Sequence, residues 1–294
     1  MNVGSKWDQI RRIVRSCLTG LRSRQIADRR ENKIAFWLAN ERKIDAWFSN
    51  EKKLQLWASN ENLISIALEA EALGTYFTYS AHAEDLVVLL WLKRAGVNPL
   101  NIRYLDIGAS SPCALNNTYL FYKLGASGVL VEPDPDQAKA LMNERPRDVV
   151  LNVGAAFDER RVAALTRFNS RMFNTFSSKF VHTVLEQSTK WDPVHRQSIV
   201  DRIEVQLMPI NEIIEHFLGG SAPHFLSIDA ESLDFEILGS LDFLRYKPWV
   251  ICVEIAVPLA EIEALLTAHG YQFIMRTTDN ALFALDPLPH SASV

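Results

Sequence analysis

From Arg103 to Leu285 the chain alternates short apolar runs with segments of helical periodicity, the pattern of a parallel α/β sheet. The runs are Arg103–Ile107, Gly128–Glu132, Val149–Val153, Phe225–Ile228, Trp249–Glu254, Tyr271–Met275 and Ala281–Leu285. Helices are predicted at Asn116–Leu124, Pro135–Asn143, Ile210–Leu218, Phe235–Leu241 and Leu259–His269. Seven strands with intervening helices suit a doubly wound sheet, which binds ligands beyond the C-terminal ends of its strands. The residues just after each run are therefore the informative ones.

The N-terminal part follows another rule. Segments starting at Glu31, Glu41, Glu51 and Glu61 repeat every ten residues, with Ile34, Ile44, Leu54 and Ile64 in register and Trp37, Trp47 and Trp57 three places on. Neither Gly nor Pro interrupts residues 31–70, so one long helix is predicted. Its apolar stripe drifts in the left-handed supercoil sense and needs a surface to cover it. That surface is the chain's own second domain, another copy of the helix, or a partner; Asn40, Asn50 and Asn60 also suit caps of separate short helices. Ahead of the repeat, Trp7, Ile10, Ile13, Val14, Cys17, Leu18 and Leu21 keep helical spacing among Arg11, Arg12, Arg15, Arg22 and Arg24. Such a basic amphipathic helix suits peripheral contact with an anionic membrane, or the solvated face of an assembly helix. Gly74 marks the boundary, giving a helical segment over 1–75, expected to drive homo-oligomerisation, and a second domain over 76–294.

Composition sharpens this division. Hydrophobic residues make up 48% and charged residues 22%, ordinary globular usage that allows a substantial core. Residues 1–75 carry 13 Lys/Arg against 9 Asp/Glu, and the remainder 18 against 26. An acidic second domain argues against nucleic acid as a partner. Cys17, Cys113 and Cys252 are odd in number and widely spaced, without a metal-binding pattern, which fits a reducing cytoplasm. No apolar run approaches the about 20 residues of a membrane span, and no signal-peptide pattern opens the sequence.

The first run ends in Asp106-Ile107-Gly108-Ala109-Ser110-Ser111-Pro112. Gly108 admits close backbone approach to a ligand, and Asp106 offers a carboxylate to a cationic or hydroxyl-bearing group. The turn lacks the glycines and lysine of a phosphate loop, which counts against NAD and ATP. The second run ends in Val131-Glu132-Pro133, placing an acid where it can accept both ribose hydroxyls of a nucleoside. Together these acids describe a nucleoside cofactor without a pyrophosphate, and S-adenosylmethionine fits. Asn152-Val153-Gly154-Ala155-Ala156 after the third run has side chains small enough to admit a flat adenine, or is simply a tight strand-to-helix turn.

Taken together, these residues resemble the FkbM family of S-adenosylmethionine-dependent methyltransferases. The matching stretches are Tyr104–Ala109, Asn117-Thr118-Tyr119 with Phe121-Tyr122, Gly128 through Val131-Glu132-Pro133, and Ser227-Ile228-Asp229-Ala230-Glu231. The resemblance covers about residues 77–286 and implies a class I, Rossmann-like methyltransferase domain behind the helical repeat segment. It also implies a cofactor turn at Asp106, Gly108, Ala109 and Ser110, a ribose acid at Glu132 followed by Pro133, and a pocket-closing helix starting at Asn117 and Thr118. With Ala155 these form the expected cofactor-binding set.

Ser80–Asp85 is similar to the family's Ser-Gln-x-Gly-Glu-Asp entry motif, with Ala81 and Ala83 replacing its Gln and Gly. Ser232 likewise stands where the family usually has Gly. Asp229 or Glu231 is expected to act as base or orienting acceptor for a substrate hydroxyl, with His82 as another catalytic candidate, and His182 and His195 as further histidines able to do that work. Asp229, Glu231 and Glu254 are also hard oxygen donors of the kind Mg²⁺ takes, or helix caps; no metal is assigned. The long stretch from Phe157 to Arg202 reads as a lid or substrate loop, or as a packed hairpin followed by a helix. Its Arg167 and Arg171, together with Glu254 outside it, are the expected acceptor contacts, the acceptor being a small molecule or glycan. A non-catalytic scaffold on the same fold is the competing reading.

Overall fold

The computed structural model describes residues 78–191 and 196–289. The expected N-terminal helices, the boundary near residue 75 and His195 lie outside the described residues.

The described chain opens with helix α1 (Glu84–Arg94), then β1 (Arg103–Ile107), α2 (Tyr119–Lys123), β2 (Ser127–Val131), α3 (Pro135–Glu144) and β3 (Val149–Leu151). An inserted region follows: β4 (Gly154–Ala156), β5 (Val162–Phe168), α4 (Ser178–Trp191) and β6 (Ile199–Pro209). The chain then runs through α5 (Ile210–Phe217), β7 (Phe225–Ile228), α6 (Asp234–Gly239), β8 (Val250–Glu254), α7 (Leu259–Ala268), β9 (Tyr271–Arg276) and β10 (Asn280–Leu285). The apolar runs predicted for β1 and β7 coincide with the observed strands, and the others agree within two residues.

One seven-stranded sheet runs in the order β3-β2-β1-β7-β8-β10-β9. β3, β2, β1, β7 and β8 are parallel, whereas β10 is antiparallel to both β8 and β9. A parallel return needs a crossover of a dozen or more residues, and only Thr277–Asp279 separates β9 from β10. The sheet is therefore doubly wound but not wholly parallel. Alternate strand residues feed two cores: Tyr104, Leu130, Phe225 and Val250 on one face with α1, and Leu105, Ile107, Leu226 and Ile251 on the other with α5 and α7. Burial on both faces is why the strands read as continuous apolar runs rather than as alternation.

Helix α1 was not legible as a separate element. Val87–Leu92 is an apolar run that periodicity alone does not assign to helix or strand. Glu84 and Asp85 in its first turn and Lys93 and Arg94 in its last match the helix dipole. The third predicted strand is also shorter than expected. It stops at Leu151, and Gly154–Ala156 forms a separate strand, so Ala155 pairs with Met208 of β6 instead of opening a helix.

The stretch between Phe157 and Arg202 is a hairpin with a helix set into it. β5 and β6 pair antiparallel from Val162↔Gln206 to Phe168↔Ile199, with α4 between them, and β4 joins β6 in parallel. No helix among the described residues is long and apolar enough to cross a membrane.

Candidate functional site

The strand order reverses between β1 and β7, because the chain winds outward through β2 and β3 before returning beside β1. In sheets of this kind, the C-terminal strand tips at such a reversal are where ligands bind. Gly108, at φ +81°, makes the turn after β1, and its N–H donates to the Val131 carbonyl at 2.9 Å. A Cβ at this position would lie 1.7 Å from the Asp229 carbonyl oxygen, so the β1 and β7 loops touch through a glycine that no other residue can replace.

Ala109 is buried and donates to the same Val131 carbonyl at 3.2 Å. The N–H of Ser110 donates to Glu132 Oε2, and that of Asp134 to Glu132 Oε1, both at 2.8 Å. Two backbone donors thus aim the Glu132 carboxylate from opposite sides. Burial raises its pKa to about 7, against the lowering effect of those hydrogen bonds. Pro133, half-buried, carries the chain on to Asp134, whose side chain accepts from the Asp136 and Gln137 N–H groups and caps α3.

Asp106 is 3% exposed and sits beside this turn. Its Oδ2 accepts from Thr118 Oγ1 at 2.7 Å, and burial raises its pKa while Thr118, Arg145 and Ser227 oppose that. Of the two adjacent asparagines, Asn116 holds the turn: its Nδ2 donates to the Ala109 and Ser111 carbonyls at 2.9 and 3.1 Å. Its Oδ1 meanwhile accepts from the N–H groups of Thr118 and Tyr119 at the start of α2. Asn117 instead reaches across the strand tips to Ser227 Oγ at 3.2 Å and Cys252 Sγ at 3.8 Å.

The tips of β7 and β8 gather four acids. Asp229, Asp234 and Glu254 each bring a carboxylate oxygen within 4.8 Å of the others, and Glu231 lies in the loop between β7 and α6. Asp234, the first residue of α6, was not anticipated, although an acid in a helix's first turn is a recognisable signal. Its Oδ1 accepts from Ala230 N–H at 2.7 Å and its Oδ2 from Ser232 N–H at 3.1 Å. Asp234 also shares a hydrogen bond with Glu254, which two carboxyl groups make only with a proton between them. Burial, reinforced by the neighbouring acids, raises Asp234 to about 7 and Glu254 to about 8. The same causes push Asp229 well above the usual carboxylate range and raise Glu231 strongly. The three clustered oxygens have the chemistry of a divalent-cation site, with Asp234 in the place the sequence suggested for Glu231.

His82 stands at the edge of this acidic region. Its Nδ1 lies 3.6 Å from Glu84 Oε1 and 3.9 Å from Asp279 Oδ2, and its N–H donates to Glu84 Oε2 at 2.7 Å. Glu84 also accepts from Thr277 Oγ1 and Asn280 Nδ2, tying the start of α1 to the β9–β10 turn. Burial alone would raise the Glu84 pKa, but hydrogen bonds from the His82 and Asn280 side chains and from the backbone N–H groups of Glu84 and His82 hold it at about 2. His182 is exposed on α4. The entry motif's missing glycine leaves a mark: Ala83 sits at φ 65°, and Ser232, the other residue standing for a family glycine, at φ 82°.

The inserted hairpin leans on the loop after β2 and the start of α3. Arg167 makes a two-pronged contact with Asp201 at 2.7 and 2.5 Å and approaches Asp134 and Asp136 within 3.7 Å. Arg171 donates to Asp136 Oδ2 at 2.8 Å. Asn174 Nδ2 donates to Asp134 Oδ2, and Thr175 Oγ1 to the Glu231 carbonyl, both at 2.9 Å. These residues strap the two banks of the cleft together, and both arginines are engaged by the protein's own carboxylates.

No curated protein matches the sequence. Among solved structures, a TehB-like SAM-dependent methyltransferase from Corynebacterium glutamicum ATCC 13032 Kitasato is 9% identical over 78% of this chain and 98% of its own, with a TM-score of 0.35. An O-methyltransferase from Bacillus cereus in complex with SAH is 11% identical over 76% and 89%, with a TM-score of 0.34. A precorrin-6y C5,15-methyltransferase from Geobacter metallireducens GS-15 is 12% identical over 72% and 92%, with a TM-score of 0.35. The assignment rests instead on the family model for the methyltransferase FkbM domain, which matches residues 106–273, from the acid at the tip of β1 to the middle of β9. The chain belongs to the FkbM methyltransferase family.

Proposed function

We propose that this protein is an S-adenosylmethionine-dependent O-methyltransferase acting on a hydroxyl of a small molecule or glycan. The residues present fit that cofactor. Glu132 accepts one backbone N–H on each oxygen and a further hydrogen bond from the Gln137 side chain, and a ribose hydroxyl would share the carboxylate with these donors or take the place of Gln137. Gly108 keeps the adjacent turn free of a side chain. Asp106, one strand over, is available to a cationic group of the same ligand.

The observation that carries the reading is Asp229, whose backbone touches the cofactor turn and whose carboxyl group has a raised proton affinity. The cofactor supplies a methyl group on a positively charged sulfur, already electrophilic. The protein must align an acceptor oxygen with that methyl and take its proton. A carboxylate whose burial raises its proton affinity is, once ionised, a stronger base than an exposed one; in this reading Asp229 takes the proton, with Glu231 and Glu254 as orienting acceptors. A cleft lined by acids also favours neutral, hydroxyl-bearing acceptors over phosphorylated ones.

The test is transfer of a labelled methyl group to a panel of sugars, glycans and hydroxylated small molecules, with the product bond identified by mass spectrometry and NMR. Methyl ethers whose formation falls at least about a hundredfold in Asp229→Asn support the proposal. Products methylated on nitrogen or carbon exclude it. Calorimetry tests the cofactor separately: Glu132→Ala should weaken binding, and unchanged affinity removes the ribose assignment.

A further inference from the structure

The largest fully buried side chain in the described domain is an arginine. Arg145 follows the last residue of α3 and is 0% exposed, among the rings of Tyr104, Tyr119 and Tyr122, whose centroids lie 5.3–5.8 Å from its Cζ. A buried guanidinium is tolerated only when paired and hydrogen-bonded. Asp148, whose side chain is equally buried, supplies the pair: Arg145 Nε donates to its Oδ2 at 2.7 Å. The Asp148 Oδ1 is in turn held by Tyr104 OH at 2.7 Å and Gly128 N–H at 2.8 Å. This half of the arrangement satisfies the charge and faces away from the cleft.

The other half faces the cofactor turn. Arg145 Nη1 donates to Asn116 Oδ1, and Nη2 to Thr118 Oγ1, both at 3.1 Å. Thr118 Oγ1 passes its own hydrogen to Asp106 Oδ2 at 2.7 Å, and Asn116 Nδ2 grips the carbonyls of Ala109 and Ser111. We propose that Arg145 is a positioning residue for the cofactor site, acting through Thr118 and Asn116 to aim the Asp106 carboxylate and brace the Gly108–Ser111 turn. It touches no ligand itself. A planar fork with five donors reaches Asp148, Tyr104, Asn116 and Thr118 at once, which a lysine ammonium on a flexible stem does not.

The electrostatics run the same way. Burial pushes Asp106 toward its protonated form, while the Thr118 hydrogen bond and the Arg145 charge pull it back. Donation from a cation into the Thr118 oxygen also strengthens that hydroxyl as a donor to Asp106. The other ionisable groups around Asp106 are Asp148 behind it, Asp229 at the tip of β7 and the Cys252 thiol on β8.

The inference rests on the reading that Asp106 meets S-adenosylmethionine, and the experiment separates the two. Calorimetry with S-adenosylmethionine on the full chain would compare wild type, Thr118→Val and Arg145→Lys between about pH 6 and about pH 8.5. Thr118→Val keeps the side-chain shape and the Arg145–Asp148 pair while cutting the link to Asp106, so it carries the test if Arg145→Lys fails to fold. The expected result is affinity weakened about tenfold, with the larger loss at the acidic end of that range, because removing a hydrogen bond that holds the Asp106 pKa down raises its proton affinity. Equal losses at every pH, or none, would show a merely structural arginine and overturn the inference while leaving the cofactor reading intact. A wild-type protein that does not bind the compound would overturn both.

Discussion

Ala83 and Ser232 hold left-handed backbone at φ 65° and 82°, in a region where a side chain's Cβ crowds the following carbonyl. Each is calculated to cost roughly 1–2 kcal/mol relative to a residue without a Cβ. Replacing both with glycine removes that strain and returns about 0.4–1 kcal/mol per site as extra freedom of the unfolded chain. The net gain is about 0.5–1 kcal/mol at each position. For a domain of this size, about 1 kcal/mol moves the melting temperature by about 2–4 °C. Ala83→Gly with Ser232→Gly should therefore melt about 2–8 °C higher than the parent by calorimetry. The urea midpoint should rise with an unchanged slope, because neither side chain changes the surface exposed on unfolding. The hydrogen bond from the Ser232 N–H to Asp234 survives the change, since it is made by the backbone. Ser232→Ala is the control: it keeps the Cβ and should gain nothing. Double-glycine protein melting at or below the parent would refute the strain argument.

Gly108→Ala should be far more damaging than any other glycine-to-alanine change in the cleft, because its Cβ would meet a backbone carbonyl at 1.7 Å; a loss above about 3 kcal/mol in urea is expected, and near-wild-type stability would contradict the packing described. Stability should also fall as pH rises. Glu132, Asp234 and Glu254 keep protons in the folded state up to about 7, 7 and 8, which the unfolded chain releases near its ordinary 4.5 and 3.8. Their contribution is complete below the unfolded values and is lost through that window, so the ligand-free protein should melt higher near pH 5.5 than near pH 8.5. Glu254→Gln should flatten this slope, and an equally steep one would count against the shared proton. Glu84 has the opposite sign: held at about 2, it favours the folded state above its unfolded value of 4.5 and withdraws that support as pH drops toward 2. For the N-terminal repeat, replacing Trp37, Trp47 and Trp57 by alanine in the full chain should lower the assembly mass measured by light scattering, and an unchanged mass would remove the tryptophan stripe as the oligomer contact.

Local signals marked most of the site's acids. Asp106, Glu132, Asp229 and Glu254 each lie at or beside the end of an apolar run, and that position is a property of the chain alone. Other roles were not visible there. Asn116 and Asn117 are adjacent and identical, yet the fold turns one into the brace of the Gly108–Ser111 turn and sends the other across the sheet. Arg167 and Arg171 look free in sequence because the acids that engage them, Asp201, Asp134 and Asp136, belong to other elements.

By itself the sequence determined the seven strands of the main sheet and the five helices among them, since apolar periodicity and turn chemistry act over a few neighbouring residues, but not α1 or the elements of the inserted region. The strand order, the antiparallel β10 and the meeting of Asp106 with Asp229 needed the tertiary structure, because they follow from which strands pair across long separations in the chain. Arg145 shows the limit most sharply: an arginine after a helix reads as solvated surface. Only the packing of three tyrosines and Asp148 around it removes water and turns its charge inward toward the site.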